Sequence, residues 1–352
     1  MALWLVRAGR HGEHEEKFLE DNRVYLTWGG TFDKLDPTAV KSYDDVKSLV
    51  IKLWPTRTQR AQGHTAGQFW AFLLGMKPGD WIVTPRKQKA AIAVGEITGP
   101  PEFSATAKDP YHVGRPVKWL NTDVPRSAFD QDLLYSMGAF MTICEIKRNE
   151  AERRVRAMAK AGWKNAGLPR ALPGEPGQHA TENVASDDGI DLARAARDEI
   201  AAQLLRQFKG HGMQRVVAAV LEAQGYTTHV PPEGGDKGID ILAAPGSLGF
   251  GRPRICVQVK SSESPVDRPT LDQLLGTMQN VGAEQGLLVS WGGFKSSVDK
   301  ELANQFFRVR LWDSDQLIEA LLENYENLSE EFRAELSLKR IWVVARPDQD
   351  DE

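Results

Sequence analysis

Gly234-Gly235-Asp236-Lys237-Gly238-Ile239-Asp240 runs into the apolar segment Ile241-Leu242-Ala243-Ala244, and eighteen residues after Asp240 comes Gln258-Val259-Lys260. The second motif closes a β-type run, Arg254-Ile255-Cys256-Val257-Gln258-Val259-Lys260. Between the runs lies Pro245-Gly246-Ser247-Leu248-Gly249-Phe250-Gly251-Arg252-Pro253, dense in turn formers. The pattern predicts a two-stranded hairpin. Side chains alternate across a strand, so Ile255, Val257 and Val259 share a core-facing side while Gln258 and Lys260 share the other. Asp240, Gln258 and Lys260 then converge at one sheet edge. An acid, an amide oxygen and a lysine placed together suit a divalent metal and a phosphodiester.

The chain of 352 residues predicts two or three domains. Net charge is −4, so a nucleic-acid partner has to be held by local basic patches. The two cysteines, Cys144 and Cys256, exclude a disulfide framework and a Cys-rich zinc site and fit a reduced cytoplasmic setting. No apolar run approaches the ~20 residues that span a bilayer, so no membrane partner is expected. Met1–Val6 is followed at once by Arg7 and Arg10 and reads as a first strand, not a signal segment.

Residues 1–150 read as an α+β domain. Strands are expected at Leu3–Ala8, Val24–Trp28, Trp81–Pro85, Ala91–Ile97, Pro116–Leu120 and Phe140–Ile146. One helix is expected over Tyr43–Trp54, capped by Ser42, and another over Thr65–Met76, where Phe69, Phe72, Leu73 and Met76 follow helical spacing. Residues 151–189 read as a charged helix, Glu150–Ala161, followed by a Gly/Pro/Ser-rich linker, Asn165–Asp188. Residues 190–352 form the second domain, with helices at Ile190–Phe208, Met213–Gln224, Pro269–Val281, Lys295–Phe306 and Gln316–Leu322. Strands are expected at Gly286–Ser290 and Arg308–Trp312 beside the hairpin. This is an α/β arrangement, a mixed central sheet flanked by helices.

The Gly-Gly-Asp-Lys-Gly-Ile-Asp and Gln-Val-Lys motifs, following a helix that ends Gln224-Gly225-Tyr226, resemble the Mrr-type branch of the PD-(D/E)XK nuclease superfamily across residues 208–325. The resemblance implies a Mg²⁺-dependent phosphodiesterase acting on double-stranded DNA. Asp240 would bind metal, with the Val259 carbonyl as a second ligand. Gln258 would stand where most of the superfamily has Glu or Asp, and Lys260 would position or help deprotonate the attacking water. Many members carry an acid on the preceding helix; the comparable position here is Gln214, and Glu222 lies two turns further on. Gln273, one helix later, is assigned to the helix surface, and His211 to a loop.

The first domain concentrates aromatic residues beside flexible positions: Trp28 before Gly29-Gly30, Trp70 beside the apolar helix stripe, and Trp81 after Lys77-Pro78-Gly79-Asp80. Flat rings with a few polar groups suit stacking on a flipped-out base. Together with Ala93-Val94-Gly95-Glu96-Ile97-Thr98-Gly99, this order resembles the PUA-like superfamily, particularly its EVE and YTH-like members. That resemblance implies a β-barrel-type domain with a pocket for a modified base, walled by Trp28, Trp70 and Trp81. Core packing is the competing role for each ring, and Trp119 is assigned to the core. Arg86, Lys87 and Lys89 form a basic cluster that either contacts phosphate or is a solvated loop.

Joined, the two halves read as a modification-dependent, type IV-like restriction endonuclease directed at foreign DNA, dimerising at least on DNA because two strands are cut. The alternatives are a non-catalytic sensor of modified DNA and a repair or structure-specific nuclease.

Overall fold

The computed structural model describes residues 1–28, 36–87, 89–138, 141–164, 192–232 and 238–342. Gly234–Lys237 of the opening motif, Gly29-Gly30, Phe140 and the Asn165–Asp188 stretch lie outside these residues. The chain divides into two units, Met1–Ala195 and Ala196–Trp342.

The first unit is built on a seven-stranded mixed sheet. Its elements are β1 (Leu3–Val6), α1 (Glu15–Glu20), β2 (Arg23–Tyr25), α2 (Tyr43–Leu53), α3 (Gln59–Trp70), β3 (Trp81–Pro85), β4 (Ala91–Ile97), β5 (Glu102–Phe103), β6 (Val113–Pro125), α4 (Gln131–Ser136), β7 (Ile143–Glu145) and α5 (Ala151–Lys160). Strand order is β2-β6-β4-β3-β1-β7, with β5 paired to β6 off that path. β1 and β3 run parallel, and the other pairs are antiparallel. Among the described residues β2 and β7 are the two ends of this path. The sheet curls where β4 and β6 slip register at Val94 and Gly95. A side chain on Gly95 would lie 2.5 Å from Val117 Cγ1, so only glycine fits there.

Alternation along β1 fills two cores at once. Trp4 and Val6 join Phe18, Val50, Phe69 and Phe72 on the face covered by α1, α2 and α3. Leu3 and Leu5 join Trp81, Val83, Leu133, Val155 and Met158 on the face covered by α4 and α5. The charged helix expected to lead into the linker therefore packs as part of this first unit. Its apolar positions Val155 and Met158 outweigh its charge, and Arg154 is neutralised by Asp130 and Asp132.

Two buried polar devices hold the sheet. Asp80 of the Lys-Pro-Gly-Asp turn accepts from Ala2 N at 2.8 Å, Lys77 N at 3.0 Å and Trp4 Nε1 at 3.1 Å, pinning β1 to β3. Burial works against this carboxylate, but those donors hold its pKa below the usual range. Arg115, fully buried, donates to the carbonyls of Phe72, Leu73 and Gly99. Phe72 and Leu73 belong to the π turn, Ala71–Gly75, that ends α3, where backbone carbonyls lack helical partners. Burial pushes the Arg115 guanidinium down to about 10.

The second unit contains α6 (Leu192–Gln207), α7 (Gly212–Ala223), β8 (Tyr226–His229), β9 (Ile241–Pro245), β10 (Ile255–Lys260), α8 (Arg268–Val281), β11 (Gln285–Ser290), α9 (Ser296–Gln305), β12 (Val309–Trp312), α10 (Ser314–Glu323) and α11 (Glu330–Glu335). The sheet order is β12-β11-β10-β9-β8. β9 and β10 form the expected antiparallel hairpin, whereas β10, β11 and β12 run parallel. Gly225, at φ +91°, turns the chain out of α7 as a C-terminal glycine does. Asp313 and Gln316 form a reciprocal cap of α10.

Parallel neighbours need crossover helices, so both faces of this sheet are covered. Val257, Val259, Leu287 and Val289 pack against α7, α10 and α11. Cys256 and Leu288 pack on the opposite face with Leu271, Leu274 and Met278 of α8 and Val298 of α9. The Gln258 side of β10 is thus not open to solvent at its middle, and Gln258 is fully buried.

Candidate nuclease site

Asp240 stands immediately before β9, and its backbone N–H donates to the Val257 carbonyl at 3.1 Å. One step further along β10 its side chain takes over the ladder: Val259 N–H donates to Asp240 Oδ2 at 2.6 Å. In an extended strand the N–H and C=O of one residue point to the same side. The Val259 carbonyl is therefore directed to the side occupied by Asp240. The other carboxylate oxygen, Oδ1, accepts from Gln214 Nε2 of α7 at 2.8 Å. The first-helix position is filled by an amide that orients the carboxylate without adding charge. Glu222 is engaged elsewhere, accepting from Thr228 Oγ1 on β8.

Gln258 donates from Nε2 to the Gly238 carbonyl at 2.6 Å. That bond fixes which way the amide faces. Its oxygen, Oε1, is buried and, among the described residues, has no hydrogen-bond partner. Buried polar atoms are rarely left unpaired, and such an orphan marks a place where an ion, water or ligand belongs. Gly238 has φ +86°, and a Cβ there would lie 3.2 Å from Gln258 Nε2 and 3.0 Å from Gln273 Nε2. Gln273 is exposed on α8, as its surface assignment predicts, yet its amide borders the site. Its one-dimensional signal was only a polar residue on an amphipathic helix, because the approach depends on how α8 crosses β10.

Lys260 follows Gln258 by two residues, on the same strand face, and is half-buried. Its backbone carbonyl accepts from Trp291 N at 2.9 Å. The loop after Lys260 is clasped by the Trp291-Gly292-Gly293 turn: Gly292 N donates to the Ser262 carbonyl at 3.0 Å, and a Cβ on Gly292 would lie 2.5 Å from the Glu263 backbone. Cys256, two residues before Gln258, has its thiol pushed up to about 11 by burial first and by the Asp240 charge second. It is inert as a nucleophile.

Among the described residues no group of three or more His, Cys, Asp and Glu side chains is placed to hold a metal. The available donors are oxygens: the Asp240 carboxylate, the orphaned Gln258 Oε1 and the Val259 carbonyl. A hard divalent cation that keeps several waters fits this set, and a thiolate- or imidazole-loving metal does not.

Residues 205–321 match a family model, Mrr_cat, described as a restriction endonuclease. The second unit carries a restriction endonuclease domain. Asp240, Gln258 and Lys260 all fall inside the matched span. Residues 4–146 match DUF8426, a domain of unknown function. The type IV methyl-directed restriction enzyme EcoKMrr of Escherichia coli (strain K12) is 28% identical over 152 residues, which is 41% of this chain and 49% of that protein. The chain thus aligns with about half the length of this curated relative. Two solved structures are also similar in outline. MspJI restriction endonuclease in complex with a 27-mer oligonucleotide gives a TM-score of 0.32 at 14% identity, over 99% of this chain and 83% of its own. The DNA modification-dependent restriction endonuclease AspBHI gives 0.30 at 13% identity, over 81% and 70%. At this level of superposition neither decides the fold of either unit.

In the first unit the three tryptophans expected to share a hollow are not brought together. Trp81 is 8% exposed in the core beside Val83, with the Arg156 guanidinium 4.3 Å above its ring. Its position in β3 places it on the α4/α5 face, opposite Trp4 and Phe69. Trp70 is 40% exposed at the end of α3, and among the described residues it stacks on neither of the other two rings. Trp28 is half-buried and meets Phe69 edge-on at 5.2 Å. Trp54 meets the same Phe69 at 5.8 Å, and Arg57 lies 4.7 Å over the Trp54 ring. The aromatic group at this face is therefore Trp28, Phe69 and Trp54. Trp54 was hidden in the sequence as the last residue of a helix. Trp119 packs as expected, its Nε1 donating to the Phe18 carbonyl.

The basic cluster also resolves differently. Arg86 is 7% exposed and paired with the buried Glu15 at 2.7 Å and with Asp123 at 3.0 Å. Lys87 N donates to Glu15, and Lys89 lies 3.9 Å from Asp123. Arg86 is a structural cation that ties α1 to the end of β3, so it does not serve as a phosphate contact.

Proposed function

We propose that this protein is a Mg²⁺-dependent DNA endonuclease of the modification-dependent, type IV-like kind. The observation that carries the reading is the buried, unpartnered Gln258 Oε1 beside Asp240, on the same strand as Lys260. In this reading Asp240, Gln258 Oε1 and the Val259 carbonyl hold the cation. The metal, when bound, polarises the phosphoryl group and acidifies a water. Gln214 and Val259 N–H keep the Asp240 carboxylate in place, while the Gly238 carbonyl turns Gln258 so that its oxygen faces the cation. Lys260 supplies positive charge where the pentavalent phosphorus gathers negative charge. The first unit is read as the base-recognising part, PUA-like in kind, with Trp28 as the stacking wall. Cutting both strands calls for two copies on one DNA.

The test is purified full-length protein on duplexes with and without modified cytosine or adenine, with Mg²⁺ or EDTA. We expect Mg²⁺-dependent cleavage of modified duplex only, lost at least a hundredfold in Asp240→Ala and in Lys260→Ala. Cleavage surviving in the double variant would remove these residues from catalysis. Tight, selective binding without cleavage under any divalent metal would favour the sensor role instead, and equal cleavage of unmodified junctions would favour repair.

A further inference from the structure

The nuclease reading uses Asp240, Gln258 and Lys260 and leaves one polar group at the rim without a task. Gln273 projects from α8 beside Gly238, its Nε2 3.0 Å from where a Gly238 side chain would begin. The same spot is 3.2 Å from Gln258 Nε2. The absence of a side chain lets two amides wall the Gly238 backbone closely. One wall is engaged, because Gln258 Nε2 already donates to the Gly238 carbonyl at 2.6 Å. The other wall is not: among the described residues the Gln273 side chain has no hydrogen-bond partner, and the Thr277 hydroxyl bonds only its backbone carbonyl. Gln258 also carries the orphaned, fully buried Oε1, an independent sign that a ligand belongs at this site.

We propose that Gln273 is a substrate-positioning contact, its Nε2 donating to a non-bridging oxygen of a DNA phosphodiester seated over Gly238. This deepens the nuclease reading and rests on it. A neutral donor suits the place. Positive charge beside the cation would oppose metal binding, and a carboxylate would repel the phosphate. The glycine is required both for φ +86° and for the close approach of the amides: an alanine methyl would lie 3.0 Å from Gln273 Nε2 and displace it from the site.

Binding of the full-length chain to a labelled modified duplex, followed by fluorescence anisotropy in EDTA across a salt series, separates this contact from catalysis. Gln273→Ala should weaken binding about tenfold, the size of one hydrogen bond to a charged acceptor. The slope of log affinity against log salt should stay unchanged, since an amide displaces no counterion. Gln273→Lys should restore affinity and steepen the slope by about one, and Gln273→Glu should bind more weakly than Gln273→Ala. Because Gln273 is exposed, all three should melt with the wild type, and the Lys/Glu contrast remains readable even if one variant is less stable. Equal binding by Gln273→Ala, Gln273→Lys and Gln273→Glu overturns the contact. A wild type that binds in this pattern but cuts with no divalent metal would instead sink the nuclease reading and leave the contact standing.

Discussion

Gln258→Glu installs the acid that the resemblance to PD-(D/E)XK nucleases leads one to expect at this position, and the geometry predicts that it harms this protein. Nε2 donates to the Gly238 carbonyl at 2.6 Å in a position with no solvent exposure. A carboxylate there sets acceptor against acceptor. Losing the bond and leaving the buried carbonyl unpaired costs about 1–3 kcal/mol. The carboxylate also carries charge into the interior beside Asp240. Burial of this kind raises a glutamate pKa by several units above its ordinary ~4.3. A rise of about two units corresponds to roughly 2.7 kcal/mol at 1.36 kcal/mol per unit. With the folded pKa raised, the variant is protonated in both states below about pH 4 and able to donate to Gly238. Its penalty grows as pH climbs through the window up to the folded pKa and is constant above it. Urea unfolding of the second unit in EDTA should therefore show a deficit of about 3–5 kcal/mol at pH 8, shrinking by about 1.5–2 kcal/mol at pH 5, with Mg²⁺ recovering part of the pH 8 loss. A variant as stable as the wild type at pH 8, or a deficit independent of pH, would refute the account of why this position is an amide.

Other parts of the structure make further demands. Gly292→Ala brings a methyl to within 2.5 Å of the Glu263 backbone, so it should cost about 1–3 kcal/mol by chemical denaturation and slow cleavage through the displaced loop after Lys260. Glu15→Gln leaves the buried Arg86 with Asp123 as its remaining carboxylate partner and should destabilise the first unit by about 1–3 kcal/mol, with no direct effect on cutting of a bound duplex. Trp81→Ala should lose about 3–5 kcal/mol of first-unit stability. Trp28→Ala should instead keep most stability and lose the preference for modified over unmodified duplex; unchanged selectivity there would remove Trp28 from the base pocket.

What was legible in the sequence was what depends on local chemistry. The hairpin, the cap at Ser42 and the helix stops followed from residues a few positions apart. β8 escaped because Tyr226-Thr227-Thr228-His229 is a short polar edge strand with no apolar alternation to announce it. The tryptophans misled for a different reason. Aromatic type and neighbouring glycines mark a plausible pocket, but which sheet face Trp81 occupies depends on pairing with β1 and β4, and that pairing buries it. The Arg86 cluster likewise reads as a charged loop until Glu15, seventy-one residues away in sequence, is brought against it. At the candidate site the sequence named Asp240, Gln258 and Lys260 but not their environment. There the amides explain one another. Gln214 binds the carboxylate, Gln258 is turned by Gly238, and Gln273 borders the site, so Asp240 contributes the single negative charge among these groups. A site with one carboxylate attracts a divalent cation weakly, because affinity for such ions rises with ligand charge. The same economy of charge lowers the repulsion felt by an incoming phosphate. Metal and DNA should therefore bind cooperatively, each supplying charge that the protein withholds from the other, and by reciprocity the metal's affinity should rise on DNA by the same factor as the DNA's rises on metal.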